Sequence, residues 1–99
     1  MNLKKKNNSD LHVLRKELTE ADFAIILLLK KRFSITKKIG HYKSIHQIPV
    51  HQKDYWKKTS EMRKKFAAKS GVDEKMTKKI FTIIHAFSKS EQKQKSKLK

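Results

Sequence analysis

The sequence predicts an all-α chain of three helices, with a long first helix intertwined with that of a second copy in a homodimer. Three observations carry this. Two glycines and one proline in 99 residues give too few turn formers for a many-stranded sheet. Apolar residues recur in steps of three and four from Leu11 to Tyr42, the period of a helix face. A helix over that stretch is about 50 Å long at 1.5 Å per residue, whereas a compact chain of this size is roughly 33 Å across. The residues left over cannot cover it, and a second copy related by two-fold symmetry can.

Ser9 and Asp10 supply N-cap chemistry for the first helix, and Asp10 also suits the positive end of its dipole. Positions 11, 14, 18, 21, 25, 28, 32, 35, 39 and 42 form a heptad seam that is apolar except at Arg32. Without Pro or Gly before Gly40, the helix is expected over about residues 10–43. Ser44 to Val50 reads as a loop, because Pro49 disfavours helix at Ile48. A second helix is expected from about His51 to Lys69, capped by Gly71, with Tyr55 or Trp56, Met62 and Phe66 as its apolar positions. Asp73 caps a third, where Met76, Ile80, Ile83, Ile84 and Phe87 form an apolar stripe. Phe81, His85 or Ile84, Ser88 and Gln92 climb an adjacent face. Residues 1–8 and 93–99 read as disordered basic tails around a helical domain at 9–92.

The chain carries 26 basic and 9 acidic residues, a formal net charge of +17. Such a field attracts nucleic acid, anionic lipid and small polyanions alike, so it selects no partner by itself; a basic nucleic-acid-binding dimer is the less favoured reading. With no cysteine, disulfides, thiolate metal sites and thiol nucleophiles are excluded. The longest apolar run, Phe23 to Leu29, falls far short of the roughly 20 residues of a membrane span. Lys4, Lys5 and Lys6 are followed by polar residues rather than a signal-peptide apolar region, and a soluble cytoplasmic protein is expected.

Arginine is rare against lysine and stands only at 15, 32 and 63. Its bidentate fork suits carboxylates, and Arg32 interrupts an apolar seam, where an unpaired charge is costly. Lys43 follows 11 residues later, about 20° around an ideal helix, so both can line one pocket. Arg15 lies about 25 Å back along the same helix and reaches that pocket only from another subunit. The five histidines show no metal spacing, Ser88 has no evident His and Asp partners, and there is no phosphate-binding glycine loop. Neither metal nor cofactor is implied. Trp56 and Tyr55, among Lys53, Lys57 and Lys58, read as packing or as a stacking patch for a base.

Leu14-Arg15, Asp22, Leu28-Leu29, Arg32, Gly40, Lys43, Pro49-Val50, Ile80-Phe81, Ile83-Ile84, Ser88 and Gln92, in that order and spacing, resemble the all-helical chorismate mutases over about residues 11–92. The resemblance implies an entwined dimer of three-helix chains that converts chorismate, a small dicarboxylate, to prephenate in aromatic amino acid biosynthesis. It implies that Arg32 and Arg15 of the partner subunit hold the two carboxylates, that Ser88 helps to position one of them, and that Lys43 and Gln92 donate to the ether oxygen. No nucleophile, general base or cofactor is required. The pattern departs at the start of the second helix, where the family has Asp, Arg and Glu and this chain has Gln52, Tyr55 and Trp56. The Asp and Glu contact the ring hydroxyl in the family, so Gln52 is expected to offer a neutral hydrogen bond there, and Trp56 is bulky enough to intrude on the pocket. Three outcomes stay open at this point: a chorismate mutase, a relative acting on isochorismate (as a pyruvate lyase) or on 4-amino-4-deoxychorismate, and an inactive dimer that keeps the fold.

Overall fold

The computed structural model describes residues 8–97, with side chains through Gln92. Three helices follow in order: α1 over Asn8–Ile45, α2 over Lys53–Ser70 and α3 over Glu74–Lys97. Among the described residues there is no strand. α1 takes in Asn8, and α3 continues past Gln92, where the sequence suggested a tail; residues 1–7 and 98–99 lie outside the described part.

Each helix end has a local cause. α1 has Asp10 in its first turn and Lys43 in its last, both favourable to the helix dipole. It closes when the Ile48 N–H donates to the Lys43 carbonyl at 2.8 Å, with Gln47 at φ 55° and Pro49 just beyond. α2 starts from Gln52, whose backbone is extended and whose side chain makes no capping bond. It ends at Gly71, φ 79°, where the Gly71 and Val72 N–H groups donate to the Ala68 and Ala67 carbonyls. That pair of bonds needs a left-handed residue, which glycine adopts at least cost. Asp73 then caps α3, its Oδ1 accepting the Met76 N–H at 2.8 Å.

The chain forms two units, Met1–Phe33 and Ser34–Lys99. The described part of the first is the greater length of α1, where Leu11, Leu14, Leu18, Ile25 and Leu28 of the heptad seam are all exposed. The second holds the end of α1 with α2 and α3, and α2 packs on α3 across the short turn at Gly71.

Within this second unit the buried faces are not the apolar ones. On α1 the buried residues are Thr36 and Gly40, while Ile35, Ile39 and Tyr42 of the seam are exposed. On α2, Ala67 is buried and Trp56, Ser60 and Arg63 half-buried, whereas Tyr55 (68% exposed), Met62 and Phe66 (72%) face outward. The apolar triad read from the sequence is thus the outer face, with Trp56 rather than Tyr55 turned inward. On α3, Ser88 and Gln92 are buried and Ile80, Ile83 and Phe87 exposed. Small residues explain the inversion, since close approach of helix backbones needs short side chains at the contact. A Cβ built on Gly40 would lie 3.0–3.2 Å from Cγ, Cα and Cβ of Gln92.

That proximity makes a prediction. Gly40→Ala forces α1 and α3 apart at Gln92, at a cost of about 1–3 kcal/mol, and chemical denaturation should show a lower midpoint. Unchanged stability would mean that the helices give way freely at this point.

Candidate functional site

The last turn of α1 presents Lys43 to the loop before α2 and to the C-terminal part of α3. Its ammonium donates to the Val50 carbonyl at 2.6 Å and to Gln92 Oε1 at 3.2 Å. Lysine has three N–H donors, so two hold the fold together and one remains for a ligand. The contact also orients the Gln92 amide, since with Oε1 on the ammonium the Nε2 becomes the donor turned elsewhere. A cation and a neutral donor thus stand side by side, as an anionic or electron-rich oxygen requires. Ser88, one turn before Gln92 on the same face of α3, is only 3% exposed. Three of the residues singled out from the sequence, Lys43, Ser88 and Gln92, therefore come together within one unit.

The others stand differently. Gln52 is exposed at the N-cap position of α2, two residues after Val50. Arg15 is exposed and Arg32 half-buried; both belong to the unit Met1–Phe33. Arg63 is packed against rings, its guanidinium carbon 4.8 Å from the ring centres of both Trp56 and Phe81.

A second group of residues adjoins the Lys43 cluster and was only partly legible in the sequence. Trp56 stacks on His85 with ring centres 4.0 Å apart and an interplanar angle of 21°. His51 lies 5.7 Å from the His85 ring. His51 directly follows Val50, so consecutive loop residues touch Lys43 and His85. The signal for His85 was its place on the ladder Phe81, His85, Ser88, Gln92; the signal for Val50, a backbone carbonyl, was none. A cleft of about 530 Å³ lies farther along the α2–α3 pair, walled by Trp56, Ser60, Arg63, Thr77 and Phe81, and contains none of Lys43, Ser88 and Gln92. Exposed Lys37 and half-buried Glu91, next in sequence to Gln92, make an ion pair at 3.7 Å. Among the described residues no three His, Asp or Glu are grouped to hold a metal ion, and no helix is long and apolar enough to cross a membrane.

Comparison with known proteins adds to this geometry. Residues 14–93 match the chorismate mutase type II family. The chain is 30% identical over 74 residues to the 4-amino-4-deoxychorismate mutase of Streptomyces pristinaespiralis, an alignment covering 75% of this chain and 57% of that relative. It is 31% identical over 81 residues to the chorismate mutase of Methanocaldococcus jannaschii, covering 82% of each.

Burial lowers the Lys43 pKa from the ordinary 10.5, because removing water disfavours the charged form. The folded state therefore releases this proton before the unfolded state does. The residue's contribution to stability rises as pH climbs through the folded value toward 10.5, while its capacity to hold an anion falls. An NMR titration of the Lys43 side chain should give a midpoint below 10.5; a midpoint at or above it would overturn burial as the controlling influence.

Proposed function

The chain belongs to the chorismate mutase type II family, and from that premise we propose that it converts chorismate to prephenate as a homodimer. The observation that carries this reading is the Lys43 ammonium bonded to Gln92 Oε1 beside the buried Ser88. The rearrangement is unimolecular. The ether C–O bond breaks as a C–C bond forms, and negative charge grows on the ether oxygen. The remaining Lys43 N–H and the Gln92 Nε2 donate to that oxygen more strongly as its charge develops, which is the condition for lowering a barrier. Arg32 and Arg15 of the partner subunit hold the two carboxylates with the arms folded toward each other, and Ser88 helps to fix one of them; holding a reactive conformer supplies the rest. No residue exchanges a proton with substrate, so the absence of a catalytic dyad is no obstacle.

The homodimer is supported by the apolar stripes that the single chain leaves exposed on α1, α2 and α3. Burying each such side chain is worth about 1.5–3 kcal/mol, which favours association over a monomer in water. A second substrate reading is favoured by one relative, the 4-amino-4-deoxychorismate mutase. With Gln52, Tyr55 and Trp56 at the start of α2, the ring substituent is where the two readings part.

Chromatography of products from purified protein and chorismate tests the activity. Prephenate should form, Lys43→Ala should reduce kcat by about 10²–10³-fold, and Arg32→Ala should chiefly weaken binding. No prephenate, or kinetics indifferent to both substitutions, would sink the mutase reading. Sedimentation should give twice the chain mass of 11.7 kDa. Mixing Arg15→Ala with Arg32→Ala protein should restore about a quarter of wild-type activity, since half the dimers then carry one intact site of two. No recovery after subunit exchange would exclude a site shared between subunits.

A further inference from the structure

We propose that His85, lying flat against Trp56, meets the ring substituent of the substrate and selects a neutral hydroxyl there over a protonated amine. This rests on the reading above that Lys43 and Gln92 hold the ether oxygen, and it adds the group that reads the ring.

The placement follows from two independent contacts. His85, Ser88 and Gln92 succeed one another at steps of three and four, so they share one face of α3, and its last two members are 3% and 8% exposed. The Val50 carbonyl meets Lys43 while the adjoining His51 ring meets His85, which puts the imidazole and the ammonium around one stretch of loop. Along α3, His85 and Gln92 are about 10 Å apart. Side chains on a helix lean toward its N-terminus, so the Gln92 amide inclines toward the imidazole end. That separation is comparable to the length of a substituted six-membered ring with its ether arm.

His85 adds to what the start of α2 can offer the ring substituent. Tyr55 is 68% exposed on the outer face of α2, and Gln52 is exposed at the helix start. Trp56 turns inward, but its hydrogen-bonding capacity is a single indole N–H, and its ring is occupied with His85 and Arg63. A neutral imidazole nitrogen either donates or accepts, according to the tautomer, so a single nitrogen of His85 suffices for a hydroxyl. Stacking on Trp56 fixes its plane, so little freedom is lost on binding. The charge nearby decides between hydroxyl and amine. The Arg63 guanidinium lies over the Trp56 ring, and the Lys43 ammonium is the cation of the same site. An amine protonated near neutrality meets like charge here, whereas a hydroxyl does not.

Trp56 is the only tryptophan in the chain, so its fluorescence reports occupancy without requiring turnover. Wild-type protein, His85→Leu and His85→Gln would be titrated with chorismate, with its analogue lacking the ring hydroxyl, and with 4-amino-4-deoxychorismate. Wild-type protein should bind chorismate about tenfold more tightly than the deoxy analogue and more tightly than the amine. His85→Leu should lose the discrimination between chorismate and the deoxy analogue, and His85→Gln should regain part of it. A purely structural role would instead weaken both compounds equally. Equal wild-type affinity for chorismate and the deoxy analogue, undiminished discrimination in His85→Leu, preference for the amine, or no response to any compound would each overturn the proposal. If His85→Leu does not fold, the same comparison between wild-type protein and His85→Gln decides, since undiminished discrimination in His85→Gln together with a weakened affinity for both compounds would overturn the proposal. Discrimination that depends on His85 in a protein forming no prephenate would uphold this inference while refuting the mutase activity.

Discussion

The ammonium of Lys43 ties three separate parts of the chain to one point: the last turn of α1, the Val50 carbonyl in the following loop, and Gln92 on α3. The arrangement depends on Gly40, one turn earlier, where the absence of a side chain lets the Gln92 backbone approach. A charged donor shared between two acceptors is stronger than a neutral one, and partial burial sharpens it while making the charged form harder to keep. Structure and chemistry thus use the same group. The bonds that locate Lys43 also orient the Gln92 amide, so in the proposed site the donors would be fixed before a ligand arrives, the preorganisation that gives electrostatic stabilisation its effect.

The distribution of polarity follows from that choice. Thr36, Ser88 and Gln92 are among the buried residues of the described chain, as is Ala67, while leucines and isoleucines stand in water. Polar groups are costly to bury unless bonded, and they are retained here where they build a site. The apolar stripes are then left as the surplus that the proposed dimer would cover. In the proposed dimer, the cover of these stripes and the proposed carboxylate contacts of Arg32 and Arg15 would be completed together.

At the start of α2 the chain replaces polar chemistry with stacking. Phe81, Arg63, Trp56 and His85 form a column of alternating rings and cation linking α2 to α3. Stacked and cation–π contacts of this kind carry about 0.5–2 kcal/mol each. In the site proposed above they would make the wall facing the ring one of imidazole and indole.

The three helices were legible in the sequence because their signals are local. Asp10 and Asp73 at helix starts, Gly71 at a helix end, Pro49 in a loop and apolar residues at steps of three and four each act on nearby backbone, and the structure places the helix ends within a few residues of where these signals put them. The family was legible in an ordered pattern that includes Lys43, Ser88 and Gln92. What the sequence could not assign was which face of each helix turns inward. Periodicity marks an apolar stripe but not what covers it, and in this chain Tyr55, Met62 and Phe66 face outward while Trp56 and Arg63 meet α3 and Ala67 is buried. Nor could it find the Val50 carbonyl, since every residue carries one, or the partnership of Trp56 with His85, which lie 29 positions apart. Those contacts arise only when the loop and the helices are brought together by folding, and that fit is a property of the packed backbone rather than of any local stretch of sequence.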